Sequence, residues 1–138
     1  KITEPQDPQF ATVLEAKLLQ ELIASSTQAK KMSFSLALTC ADGASLGGLS
    51  ASTSYGWLLI KVLFIAPSVR GRGYGREVLQ QAFARAKSLG CHSVWLDTSN
   101  PAARRFYVKQ GFESFGTLIN DDGDAPLGHQ RRFMKRKI

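Results

Sequence analysis

Few residues in this chain suit disulfide, metal or membrane chemistry. Only two cysteines occur, Cys40 and Cys91, in strand-like or pre-strand contexts and without metal-ligand spacing. They predict a reduced, cytoplasmic protein rather than a disulfide framework, and no metal site is expected. No apolar stretch reaches the roughly 18 residues that a membrane helix needs, because Lys61 interrupts the longest run. No membrane partner is therefore expected. No basic-then-apolar leader opens the chain, and residue 1 is Lys rather than Met. Internal repeats, low-complexity tracts and composition breaks are also missing, so 1–138 is expected to form one domain.

Acidic residues are the minority charge, 11 against 18 basic ones, giving a net charge of +7. Such a balance raises the possibility of nucleic acid or an anionic surface as partner. Much of the excess lies in two clusters: Arg70, Arg72 and Arg76, then Arg131, Arg132, Lys135, Arg136 and Lys137. The second alternates with Phe133 and Met134, as in a final strand with a solvated edge. No aromatic–basic interleaving marks a stacking platform, which argues against nucleic acid.

The order of elements reads as α/β (α+β). Ile2–Thr3 would begin a first strand, and Asp7-Pro8 would start a helix as N-cap and first position. Val13, Leu14, Leu18, Leu22 and Ile23 follow at helical spacing, before the polar stretch 25–31, a loop or a second short helix. Residues 33–38 alternate as a half-buried strand, and 45–54 make a third, with Gly47 and Gly48 suggesting a bulge. The run 57–66 reads as a central strand buried on both faces. Val78, Leu79, Ala82, Phe83, Ala86 and Leu89 share a helical face that Gly90 ends. A fifth strand covers 94–97. Asn100 caps a helix with Pro101 at its first position. Residues 112–118 and 130–137 form a closing hairpin.

The most informative segment is Val69-Arg-Gly-Arg-Gly-Tyr-Gly-Arg76, between the apolar run and the helical pattern from Glu77. Alternate glycines let a backbone bring its N–H groups close to a ligand. The start of the next helix adds unpaired N–H groups and a positive dipole end, together an anion site suited to a pyrophosphate. The spacing Gly71-x-Gly73-x-Gly75 is neither the dinucleotide fingerprint nor a Walker loop.

Arg70-x-x-Gly73-x-Gly75 after a strand resembles the coenzyme A pyrophosphate loop of the GNAT N-acetyltransferases. A second segment, Asn100-Pro-Ala-Ala103-Arg-Arg-Phe106-Tyr107-Val-Lys-Gln-Gly111-Phe112, resembles the same family's N-x-x-A-x-x-F-Y-x-x-x-G-F pattern. Each is weak alone; the pair is specific, with detailed likeness over 58–118. The resemblance implies a mixed sheet of about six to seven strands, flanked by helices and splayed between the fourth and fifth strands (57–66 and 94–97). It implies acetyl-CoA as cosubstrate, held by Leu63, Phe64, Ile65, Arg70, Gly71, Arg72, Gly73, Tyr74, Gly75, Arg76, Asn100 and Tyr107. Direct transfer to an amine acceptor is implied too, with a backbone N–H near Leu63 at the developing oxyanion and Tyr107 as general acid. Leu63 and Ile65 would otherwise be plain core residues, and Phe106-Tyr107 a packing face.

The family's strand-four glutamate has no counterpart here, since that strand carries no carboxylate. Asp97 and His129 are the candidate bases; a hydrogen bond to a neighbouring loop would equally explain Asp97, and a structural or solvent-facing role His129. A water chain without a dedicated base is the third option. The acidic loop residues Asp121, Asp122 and Asp124 would attract a cationic amine or form an ordinary solvated turn. Leu96-Asp97-Thr98 followed by Phe115-Gly116-Thr117-Leu118 and Gly128-His129 resembles a bacterial subgroup, and dimers are common among look-alikes, often through the last strands. A non-catalytic acyl-CoA sensor and a basic nucleic-acid-binding module are the competing functions.

Overall fold

The computed structural model describes all residues, 1–138. Helix α1 (Phe10–Ser25) leads through a 3-10 turn at Thr27–Ala29 into β1 (Met32–Thr39), β2 (Ser45–Ser54) and β3 (Trp57–Ile65). A second 3-10 turn (Pro67–Val69) precedes α2 (Tyr74–Ser88), β4 (Ser93–Thr98), α3 (Pro101–Lys109), β5 (Glu113–Ile119) and β6 (Gln130–Lys137). The six strands form one mixed sheet in the order β1-β2-β3-β4-β6-β5.

Strand pairing fixes which side chains face which way, because directly opposed residues share a face of the sheet. Phe34 opposes Ala51, which opposes Ile60; Leu58 opposes Val94, and Leu96 opposes Met134. All of these enter one core with Val78, Leu79, Ala82, Phe83 and Ala86 of α2 and Tyr107 of α3. The helical face read from the sequence is thus the buried one. Both α2 and α3 lie on this side of the sheet.

Several expectations need correction. Ile2–Thr3 form no strand, so the sheet has six members and opens at β1. Asp7 does accept a backbone bond, from Gln9 N–H at 2.9 Å, but this closes a turn, and the helix starts at Phe10. The polar stretch after α1 holds a single 3-10 turn, capped by Ser26. A β1–β2 irregularity does fall beside Gly47, where Leu46 is skipped. A second lies between Ser50 and Ala51 and leaves Lys61 of β3 unmatched. The run 57–66 is buried at Leu58 and Ile60 only, while Lys61, Val62 and Phe64 are exposed. Its apolar composition reflects an unpaired edge and an uncovered sheet face rather than burial on both sides.

The basic final strand is also not an edge. β6 lies between β4 and β5, antiparallel to both, leaving β1 and β5 as the edges. Four of its five cations, all but Lys137, turn to partners inside the chain. Arg136 donates to the carbonyls of Gln110 (2.5 Å) and Lys137 (2.8 Å) and stacks over Phe83; Arg132 donates to Gln130 Oε1 at 2.8 Å.

Candidate active site

The site begins where the sheet comes apart. β3 and β4 run parallel and pair at only three positions, Trp57↔Ser93, Leu58↔Val94 and Leu59↔Trp95. Beyond Leu59 the strands diverge, and β4 continues with β6 as its neighbour through Thr98. The second half of β3 therefore has a free edge. The unmatched Lys61 sits at this point, and a bulge locally bends and twists its strand.

The direction of the main-chain groups along that edge follows from one bond. Ala66 N–H donates to Leu46 O at 2.8 Å, which sets the phase of the antiparallel β2–β3 ladder. Successive residues of a strand point their N–H and C=O groups to opposite sides. Phe64 and Val62 therefore address β2, while Leu63 and Ile65 address the gap. The Ile65 carbonyl is occupied by Arg70 Nε at 2.7 Å; the same guanidinium stacks over Phe64, 5.6 Å from its ring centre. Arg70, exposed like Arg72 and Arg76, is thus folded back onto β3, while those two hold no such bond within the chain.

The glycine segment divides into two roles. Gly71 and Gly73 adopt φ of +77° and +86°, a left-handed conformation costly for a residue with Cβ, and nothing lies within 4 Å of a Cβ added at either. Gly73 is the N-cap of α2 and supplies no side-chain cap. The helix thus starts three residues before Glu77, and the N–H groups of its first turn open onto the loop. Gly75 belongs to that turn. A Cβ there would meet the Phe106 ring at 3.1 Å, so the residue allows α2 and α3 to touch.

α3 forms the opposite wall. Asn100 Oδ1 accepts from the N–H groups of Ala102 (2.9 Å) and Ala103 (3.4 Å), and Pro101 occupies the first helical position. This end is fixed from the sequence as read. Tyr107 is 7% exposed, with its ring edge-on to Phe106 and Phe112, 5.3 Å centre to centre in each case. Burial pushes its hydroxyl pKa up to about 12.

These walls enclose a cleft of about 540 Å³. Leu63, Phe64, Ile65, Arg70, Gly71, Gly73, Tyr74, Gly75, Arg76, Asn100 and Tyr107 all line it. Of the coenzyme-binding residues expected from the sequence, Arg72 alone lies outside; it borders an adjoining polar depression with Arg76, Glu77, Gln80 and Gln81. Val69, Ala102, Ala103, Phe106 and Gln110 also line the cleft. Their part was open to reading in one respect: Ala103, Phe106 and Gln110 follow Asn100 at spacings that share one helix face.

The two candidate bases stand apart from this cleft. Asp97, near the end of β4, is held across the sheet by Arg131: Oδ1 accepts from both Nη2 (2.6 Å) and Nε (2.8 Å). His129 sits half-buried before β6, its backbone N–H bonded to Pro126 O and its carbonyl to Asn120 N–H. Cys91 is buried, and desolvation raises its thiol pKa. This suits an inert core residue.

A six-stranded mixed sheet flanked by helices is the architecture of known acetyltransferases. Residues 4–112 match the acetyltransferase (GNAT) family, and the chain belongs to that family. It is an acetyltransferase. It is 28% identical over 117 residues to Acetyltransferase Atu2258 of Agrobacterium fabrum, covering 85% of each protein. An acetyltransferase crystal structure from Bacillus cereus superposes with a TM-score of 0.82 at 26% identity, over 100% of this chain and 98% of that one. A Bacillus anthracis protein solved in complex with acetyl coenzyme A shares the fold, with a TM-score of 0.64 at 19% identity over 72% of this chain and 59% of that one. No helix is long and apolar enough to cross a membrane.

Proposed function

We propose that this enzyme moves an acetyl group from acetyl-CoA directly to a primary amine. The observation that carries the reading is the unpaired edge of β3 at Leu63–Ile65, running along a cleft with the start of α2 and Tyr107 on its walls. The donor chemistry fits the coenzyme. First-turn N–H groups of α2, with Arg72 and Arg76 beside them, suit a pyrophosphate. The Leu63 main chain and the apolar stretch of cleft suit an amide-bearing arm, and Asn100 can serve it after capping α3.

Acetyl-CoA supplies an activated acyl group, so the protein needs no nucleophile of its own. Leu63 N–H, aimed into the gap, stabilises negative charge on the acyl oxygen as a fixed donor. Tyr107, fully protonated at neutral pH, gives a proton to the departing thiolate. Asp97 is committed to Arg131, and neither it nor His129 borders the cleft, so removal of the amine proton is assigned to solvent. The same commitment of β6 cations within the chain argues against the nucleic-acid reading.

Calorimetric titration with acetyl-CoA, beside a short RNA at equal salt, tests the reading. One-to-one acetyl-CoA binding is expected, with Kd rising at least about tenfold in Gly73→Val. The valine must either adopt a left-handed conformation costing roughly 1–2 kcal/mol or reshape the loop. RNA binding without acetyl-CoA binding would refute it. A panel of primary amines then reads turnover.

Tyr107 also marks the alkaline limit of the fold. Below pH 10 the phenol is neutral in both folded and unfolded chains. Between pH 10 and about 12 it ionises only on unfolding, so stability falls as pH rises, by about 2–3 kcal/mol in all. Denaturant unfolding of wild type beside Tyr107→Phe from pH 9 to 11.5 reads this loss as the difference between the two.

A further inference from the structure

α1 carries apolar side chains on two sides, separated by Glu15, Lys17, Gln20 and Glu21, yet none of its residues is buried. Phe10, Leu14, Leu18 and Leu22 form one stripe at helical spacing, and each is between 38% and 57% exposed. Leu19 and Ile23, on the other side, are half-buried. A surface helix normally turns its apolar stripe towards the core, whereas this stripe faces outward. The chain as a whole exposes 9700 Å², whereas a compact monomer of 15.1 kDa exposes about 7,100 Å². The surplus is concentrated at the start: every residue from Lys1 to Leu18 is exposed.

The sheet offers a matching surface. α2 and α3 cover one face only. On the other, three rows cross the first three strands: Ala37–Gly48–Phe64, Ser35–Ser50–Val62 and Ser33–Ser52–Leu59. Small residues on β1 and β2 make a shallow trough, bordered by the exposed Val62 and Phe64 of β3. Such a trough lets a helix approach closely and gives leucines somewhere to lodge.

We propose that the occupant is a second copy of this chain, with α1 of each protomer laid by its Phe10–Leu14–Leu18–Leu22 stripe along the open sheet face of the other. A twofold arrangement uses both surfaces twice. The surplus of roughly 2,600 Å² per chain leaves room for it, since obligate homodimers bury about 2,000–5,000 Å² in total. One or two stray leucines would not ask for a partner; a four-residue apolar stripe and an open face do.

Light scattering coupled to size exclusion, on the full chain at 1–100 µM, reads the mass. Wild type is expected near twice 15.1 kDa. Leu14→Glu/Leu18→Glu and, separately, Val62→Glu should each halve that mass without changing far-UV circular dichroism, because these side chains are exposed within one chain. Leu118→Glu, on the exposed edge strand β5, should leave the dimer intact. A wild-type monomer at 100 µM overturns the proposal, as does one that sediments with anionic vesicles. So does a dimer that survives the α1 changes and falls with Leu118→Glu.

Discussion

Tyr107→Phe is expected to lower kcat by roughly 10²–10⁴-fold, the range for loss of a general acid, while Kd for acetyl-CoA stays within about twofold. The phenylalanine keeps the ring contacts with Phe106 and Phe112 and the wall of the cleft, removing only the proton source. Burial of that hydroxyl sharpens the expectation. A pKa of about 12 keeps the proton in place throughout the working pH range, so the wild-type rate should show no downturn from Tyr107 below about pH 10. Stopped turnover in the presence of a good amine, measured beside coenzyme titration, separates the two effects. Equal rates for the two proteins would remove Tyr107 from the chemistry and leave it a packing residue.

Leu63→Pro probes the other half of the mechanism. Proline removes one N–H, and on β3 this N–H faces the gap rather than β2. No ladder hydrogen bond is lost, which is the situation in which strands tolerate proline. The melting temperature should fall modestly, mainly through the lost leucine packing near Leu49, while kcat drops roughly 10²–10³-fold as for removal of an oxyanion donor. Phe64→Pro is the control, one residue along and facing β2. It should destabilise the fold itself, because it removes a ladder hydrogen bond to β2. If Leu63→Pro retains full turnover, the main chain of β3 does not stabilise charge in the reaction.

Much of this site could be read in the sequence because its parts are local. Gly71, Gly73 and the start of α2 are a few residues apart, and Asn100-Pro101 announces its own helix. Tyr107 follows at a fixed distance along that helix. What escaped depends on contacts between segments far apart in the chain. Nothing near Leu59 says that β4 leaves β3 there; the departure requires β6, some seventy residues later, to take the other side of β4. The basic residues of β6 looked like those of a protected edge because charge alternation cannot reveal which strand lies next to it. Arg70 looked like a loop cation because its bond to Ile65 O depends on a turn that the sequence does not print. The apolar residues of α1 were legible as a helix, but periodicity says nothing of what they pack against.

The position of β6 has a consequence for how the protein is made. Contacts of β4 and β5 with each other run through a strand drawn from the last nine residues. While the chain emerges from the ribosome, β1, β2, β3 and α2 can assemble from neighbours already present. The first half of β4 can dock on β3, but its second half and β5 must wait, with Leu96 lacking its cross-strand partner until Met134 arrives. The late half of the molecule is therefore the half that chaperones would meet, and small losses within β6 would cost far more than their length suggests.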